Sequence, residues 1–237
     1  MMKERVAIIT GVGPGLGAAL ARRFAREGFR VAVIARSHEF INELAREISD
    51  ADGTALALVA DVSRPNEIKA AVARVRAELG PVNVVIHNAS AASGNGLLGT
   101  TAEEFEKAWR VAALGAFLCA RETATNMIGA GAGTMLFTGA TSSVRGGGWL
   151  GFSSAKFALR GLVQSLAREL WPQGIHVAHI LIDGIVGEAG ATSTAADEEP
   201  LLDPDQIAAA YWHLANQERS AWTLELDLRP HREQFFV

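Results

Sequence analysis

The 237-residue sequence contains one cysteine, one tyrosine and no long run of apolar residues. Cys119 has no partner for an internal disulfide, and no cluster of cysteine and histidine suggests a metal site. The apolar runs are short and interrupted by charged residues, so none is long enough to span a bilayer. The first residues, Met-Met-Lys-Glu-Arg, have no signal-peptide core. We therefore expect a cytoplasmic protein that binds neither a membrane nor a metal.

Charge and composition exclude further classes of protein. A net charge of −4 argues against a surface that binds nucleic acid. Hydrophobic residues make up 49% and charged residues 20% of the chain, as is typical of globular proteins with a large core. No linker rich in proline, serine or charge divides the sequence, so we predict a single domain over residues 1–237.

Short apolar runs alternate with segments of helical periodicity. The predicted strands are residues 6–9, 30–35, 54–59, 82–86, 134–137, 175–182 and 223–228. The predicted helices are a segment that begins near residue 16, then 39–48, 66–79, 103–128, 152–170 and 204–214. Such alternation predicts an α/β fold, a Rossmann-type doubly wound parallel sheet of about seven strands with helices on both faces. Ligands of these sheets bind beyond the carboxyl ends of the strands.

A glycine-rich turn connects the first predicted strand to the first predicted helix. Glycine adopts backbone angles that side chains forbid and lets a pyrophosphate approach the main chain, while unpaired amides at the start of the helix face the anion. The turn therefore predicts a dinucleotide site, whose residues are Thr10, Gly11, Gly13, Gly15, Leu16 and Gly17. A glycine-rich turn without a ligand is the alternative.

Three motifs resemble the short-chain dehydrogenase/reductase family over essentially the whole chain. They are the glycine-rich turn, Asn88-Ala89 after the fourth strand, and Ser143 ahead of a helix that carries Lys156. The resemblance implies a nicotinamide cofactor, a small-molecule substrate and a homodimer or homotetramer.

The resemblance also implies roles for individual residues. Asp61 and Val62 would flank the adenine, and Asn88 would stabilise the sheet beside the cofactor. Gly184 belongs to a turn that resembles the family's Pro-Gly turn, with Asp183 in place of proline. Glu188 stands where a threonine often meets the nicotinamide amide.

Arg36 follows the second predicted strand, at a position that distinguishes the two nicotinamide cofactors. An acidic residue there would accept hydrogen bonds from the ribose 2′-hydroxyl of NAD(H). A guanidinium instead pairs bidentately with a phosphate, so the sequence favours NADP(H) over NAD(H). A solvated arginine without a ligand is the alternative.

The catalytic positions depart from the family's pattern at two places. Phe152 and Lys156 are spaced like the tyrosine and lysine of the family's Y-x-x-x-K motif, but a phenyl ring cannot donate a proton. Ala112 stands where the family has an asparagine that supports a water relay to the lysine. The only tyrosine, Tyr211, lies in the last predicted helix, where we expect it to pack. The candidate catalytic residues are thus Ser143, Lys156 and Phe152, the last at the tyrosine's position.

Two hypotheses follow from these residues. The first is an NADP(H)-dependent oxidoreductase of small carbonyls or alcohols, in which Lys156 orients the nicotinamide ribose and Ser143 polarises the substrate oxygen. The second is a dinucleotide-binding protein with little or no turnover, a redox sensor or a supporting subunit, which Phe152 and Ala112 motivate. Residues 187–203, rich in small and acidic side chains, predict a mobile loop over the substrate, with a plain disordered loop as the alternative.

Overall fold

The computed structural model describes residues 5–92, 96–187 and 200–232. Its strands are β1 (Arg5–Thr10), β2 (Phe29–Ala35), β3 (Thr54–Val59), β4 (Val82–His87), β5 (Gly133–Thr138), β6 (Ile175–Ile182), β7 (Ile185–Val186), β8 (Leu201–Leu202) and β9 (Glu225–Leu228). Its α-helices are α1 (Leu16–Arg26), α2 (His38–Asp50), α3 (Pro65–Glu78), α4 (Gly96–Gly99), α5 (Ala102–Trp109), α6 (Gly115–Ala130), α7 (Leu150–Leu170) and α8 (Pro204–Ala215). Short 3-10 turns cover Thr141–Ser143, Trp171–Gln173 and Arg219–Ala221.

Seven strands form one sheet in the order β3-β2-β1-β4-β5-β6-β9. Every neighbouring pair is parallel. The strand order reverses between β1 and β4, so a crevice forms beyond the carboxyl ends of these two strands. This sheet confirms the predicted α/β fold.

Side chains of β1 alternate between two core layers. Ala7 and Ile9 pack against α1, α2 and α8, whereas Val6 and Ile8 face the layer of α3, α6 and α7. Helices therefore cover both faces of the sheet, as the alternation predicted. Within residues 5–92, 96–187 and 200–232, no helix combines the length and the apolar character that crossing a bilayer requires.

The helix predicted over residues 103–128 is present as one continuous helical segment, in which a π-helical turn at Arg110–Leu114 connects α5 to α6. The buried His87 ring accounts for the wider turn. Its Nε2 lies 3.2 Å from the Val111 carbonyl oxygen. Because a carbonyl oxygen only accepts, the Nε2–H group donates to it. A side chain inserted into the hydrogen-bond ladder is a known cause of such irregularities. Gly115 then lets the helix approach His87 and Val62 closely.

The C-terminal part differs from prediction in two places. The last strand begins at Glu225 instead of residue 223, because Thr223 binds side chains: its amide donates to Gln217 and its carbonyl accepts from His176. Part of the loop predicted over residues 187–203 is a strand, because Leu201–Leu202 pairs in parallel with Ile185–Val186. Residues 188–199, including Glu188, lie outside the described ranges.

Candidate functional site

A cavity of about 710 Å³ opens at the carboxyl ends of β1 to β4. Six of the predicted cofactor residues line it, namely Gly11, Gly13, Arg36, Asp61, Val62 and Ala89. The cavity also contacts Ser37, Ser90 and Lys107, which are not among the residues predicted to bind the cofactor. Because Ser37 directly follows Arg36, its place at the cavity could have been predicted from the sequence. Lys107 reaches the cavity only because α5 packs beside it, which no local pattern indicates.

Two glycines of the turn after β1 have steric reasons for being glycine. Gly11 has a φ of +70°, and a Cβ there would overlap the backbone of Ala89. A Cβ on Gly17 would lie 2.7 Å from the Cα of Val12. Gly13, by contrast, lines the cavity and has open space where a side chain would stand. The main chain of the turn thus borders the cavity directly, as a close-approaching pyrophosphate requires.

The other predicted residues of this turn lie behind the cavity. Thr10 is fully buried, and its hydroxyl lies 3.0 Å from Nδ1 of His87. Leu16 is buried against the core at the start of α1. Gly15 lies beneath the loop after β7, where a Cβ would be 3.8 Å from the carbonyl oxygen of Gly187.

Asn88 connects the glycine-rich turn to the rest of the sheet. Its Nδ2 donates to the carbonyl of Gly11 at 3.1 Å, and its Oδ1 accepts from the Thr138 hydroxyl at 3.1 Å. Since that hydroxyl proton is used, the Tyr211 hydroxyl at 2.7 Å donates to Thr138. Tyr211 is fully buried, in agreement with its predicted packing role, and its hydroxyl extends this network to α8.

Arg36 and Asp61 place charges of both signs at the β2 and β3 end of the cavity. Burial acts to raise the pKa of Asp61, but hydrogen bonds from Ser63 and the charges of Arg36 and Arg64 hold it below its usual value. Arg36 itself is exposed. Ser37, the N-cap of α2, makes no side-chain capping bond, so the first amides of this helix remain available to an anion.

Lys156 is buried on α7 and faces the end of β5. Its Nζ donates to the Thr138 carbonyl at 2.7 Å and lies 5.4 Å from the centroid of the Phe152 ring. Burial lowers the pKa of Lys156 to about 8. The half-buried Phe152 also makes an edge contact with Trp149, with centroids 6.1 Å apart. The predicted pairing of positions 152 and 156 on one helix face is therefore present.

Ser143 lies in the 3-10 turn after β5 and is fully buried. Its hydroxyl accepts from the amide of Ala140 at 3.1 Å, which leaves its own proton available for donation. Thr141 of the same turn donates to Asp183, and Asp183 forms a buried ion pair with Arg229. The positive charge of Arg229 thus compensates the buried Asp183 carboxylate after β6.

Gly184 and Ala112 stand where close packing favours small residues. Gly184 has a φ of +140°, and a Cβ there would lie 3.1 Å from the Pro230 ring. Ala112, in the π-helical turn, is buried in a small cluster with Ala108 and Ala155. Neither lines the cavity, and nor do Ser143, Phe152 and Lys156. The cavity therefore corresponds to the β1–β4 half of the predicted site.

A seven-stranded parallel sheet with a glycine-rich turn at its reversal point defines a dinucleotide-binding α/β protein. A family model described as short chain dehydrogenase matches residues 5–199. The chain belongs to this family of oxidoreductases, which bind nicotinamide dinucleotides.

Individual relatives agree with this assignment. The 4-formylbenzenesulfonate dehydrogenase of Comamonas testosteroni is 30% identical over 240 residues, which cover 94% of each chain. A short-chain dehydrogenase structure from Rhodopseudomonas palustris is 38% identical, with a TM-score of 0.84, and the match covers 96% of this chain and 99% of the other. An alcohol dehydrogenase from the archaeon Thermococcus sibiricus, complexed with 5-hydroxy-NADP, is 27% identical, with a TM-score of 0.87 and coverage of 98% and 99%.

Proposed function

We propose that this chain is an NADP(H)-dependent oxidoreductase that transfers hydride to or from a small carbonyl or alcohol. The observation that carries this function is the buried Lys156 ammonium beside the Ser143 turn, at the end of the sheet that holds the dinucleotide cavity. Burying a charge is costly, so this cation indicates a functional site at this end of the sheet. We further propose a single cytoplasmic domain.

The residues around the cavity fit a dinucleotide. The bare main chain at Gly11 and Gly13 suits a pyrophosphate, and Asp61 and Val62 suit the adenine. Arg36, with Ser37 and the free amides at the start of α2, suits a 2′-phosphate. The complex of the archaeal relative with an NADP derivative supports the same choice.

Each candidate catalytic residue has a role in this proposal. The bound cofactor supplies or accepts the hydride. Lys156 uses one N–H on Thr138, so two remain for the hydroxyls of the nicotinamide ribose. Ser143 donates its free proton to the substrate oxygen. Phe152 and Ala112 occupy the positions of the family's tyrosine and asparagine, so the proton comes from another group.

Exposed aromatic side chains support a homodimer or homotetramer. Phe105, Trp109, Phe117 and Phe157 are exposed on α5, α6 and α7. Exposed apolar side chains gathered on neighbouring elements are typical of protein interfaces.

Replacing Ser143 by alanine tests the oxidoreductase function directly. NADPH binding is measured by fluorescence, and its oxidation is followed against a panel of small carbonyls. We expect the native chain to bind and oxidise NADPH, and Ser143→Ala to lower kcat/KM by about 10- to 100-fold, because a hydrogen bond to a charged oxygen is lost. The adjacent Ser142→Ala is the matched control and should change neither quantity. Binding of NADPH without oxidation of any carbonyl by the native chain would support the second function, a dinucleotide-binding protein without turnover.

Replacing Arg36 by aspartate should reverse the cofactor preference. The native chain is expected to bind NADPH at least about tenfold more tightly than NADH, because the guanidinium pairs with the 2′-phosphate. Arg36→Asp repels that phosphate and accepts the 2′-hydroxyl of NADH. Arg64, a second cation beside Asp61, is outside the cavity lining, so Arg64→Gln should keep the native preference. Equal native affinities for the two cofactors would refute the NADP(H) assignment.

A further inference from the structure

A histidine that sequence reasoning missed is buried near Lys156. His179 of β6 exposes 2% of its surface and lies against Gly139, where a Cβ would overlap its Nε2. Lys156 donates to the carbonyl of Thr138, the residue before Gly139. The imidazole and the ammonium therefore contact the same two-residue segment at the end of β5.

The hydrogen bonds of His179 determine which ring nitrogen carries the proton. Nδ1 lies 3.1 Å from Oε2 of Glu225, and a carboxylate only accepts, so Nδ1 is the protonated nitrogen. Nε2 is then an acceptor. Among the described residues this buried nitrogen has no hydrogen-bond partner. A buried acceptor without a partner is unfavourable unless a donor or a bridging water reaches it.

Glu225 connects this ring to the protein surface. It lies on β9 with 30% of its side chain exposed and forms two hydrogen bonds of 2.7 Å with Arg160 of α7. The charged groups that act on His179 are Glu225 of β9 and Lys156 and Arg160 of α7. His87 of β4 in turn lies within the field of Lys156. Burial lowers the pKa of His179 to about 4, so the ring is neutral near pH 7.

We propose that His179 and Glu225 form a proton path between Lys156 and solvent. The inference rests on the proposed function and makes His179 a positioning residue that acts through Lys156. When an alcohol is oxidised, the Lys156 ammonium passes one proton through a bridging water to His179 Nε2 and takes up the alcohol O–H proton in its place. The Nδ1 proton of His179 moves to the Glu225 carboxylate, and Glu225 releases it to water. The electrons leave with the hydride, and carbonyl reduction runs each proton step backwards.

This path provides a route where the family's route is interrupted. Ala112 is packed among alanines, and its methyl side chain has no polar atom to hold a water, so no relay begins from that side chain. The proposed route instead runs from Lys156 toward β6, where His179 lies. A neutral imidazole suits this task because it accepts on one nitrogen and donates from the other.

Glu225→Gln tests the path with little structural change, because the amide oxygen still accepts from His179 but cannot take up a proton. We expect kcat for alcohol oxidation to fall about tenfold with KM unchanged, a part of the 10²–10⁴ that positioned proton transfer supplies. Glu225→Asp keeps a carboxylate that can take up the proton and should retain most of the native rate. Glu169→Gln is the matched control: it neutralises an exposed carboxylate of α7 that does not belong to the path, so kcat should stay near the native value.

A second measurement uses the protein without cofactor. NMR titration of the His179 ring nitrogens should show its pKa rising in Lys156→Met, because a nearby positive charge has been removed. An unchanged His179 pKa, or a loss in Glu225→Gln that Glu225→Asp shares in full, would overturn the path while leaving the oxidoreductase intact. Absence of turnover in the native chain would instead overturn the proposed function and the path with it.

Discussion

Replacing Phe152 by tyrosine is expected to raise kcat for carbonyl reduction by about 10²–10⁴-fold, the usual contribution of a positioned general acid. The Phe152 ring is half-buried, and its centroid lies 5.4 Å from the Lys156 ammonium. A hydroxyl on this ring would be close to a buried positive charge, which favours the phenolate and lowers the pKa of the new tyrosine. The rate is measured as NADPH oxidation against the carbonyl panel.

Two controls isolate the new proton donor. Phe157→Tyr adds the same hydroxyl on the exposed side of α7 and should leave kcat unchanged. Lys156→Met combined with Phe152→Tyr should lose the gain, because the charge that activates the phenol is gone. An unchanged rate in Phe152→Tyr would show that position 152 does not adjoin the substrate oxygen. Activity in Phe152→Tyr but none in the native chain would identify the native protein as a dinucleotide binder.

Local sequence patterns predicted the helices and strands, whereas the π-helical turn and the buried side-chain pairs depend on contacts between residues distant in sequence. The strand at 54–59 and the strand at 175–182 match their predicted limits, because each is an apolar run bounded by turn residues. The last helix is likewise capped by the residue that precedes it, since Asp203 accepts from the amide of Asp205. Capping, periodicity and turn chemistry are all determined by neighbouring residues.

The π-helical turn and the His179–Glu225 pair were not predictable from local patterns. The first depends on His87, 24 residues before Val111, and the second joins residues 46 apart in sequence. In the same way, the spacing of Phe152 and Lys156 predicted that they share a helix face, but only tertiary packing buries the ammonium against Thr138. The roles of all the candidate site residues remain predictions for the experiments above.

Acid is expected to destabilise the protein well before its carboxylates protonate. Burial lowers the pKa of His87 to about 3 and that of His179 to about 4, and it also lowers the pKa of His176. In the unfolded chain each imidazole has a pKa of about 6.5, so below that pH the unfolded state binds more protons. The free energy of unfolding is thus highest above pH 6.5 and falls as the pH drops toward the native values. At pH 4.5, about two units below the pKa of an unfolded histidine, His87 and His179 should each lower the free energy of unfolding by on the order of 2–3 kcal/mol.

Urea unfolding between pH 7.5 and 4.5 measures this loss of stability and separates it from the effects of other titrating groups. The carboxylates with lowered pKa values, Glu47, Asp61 and Glu225, lose their stabilising effect only as the pH falls below about 4.5, their unfolded range. His87→Gln should reduce the slope between pH 6.5 and 4.5 by about one proton, because one buried imidazole is gone. His38→Gln, at an exposed position, should keep the native slope. NMR of the native protein at pH 5 provides a check independent of the variants, since imidazolium signals from His87 or His179 would contradict the neutral buried rings on which the expected loss depends.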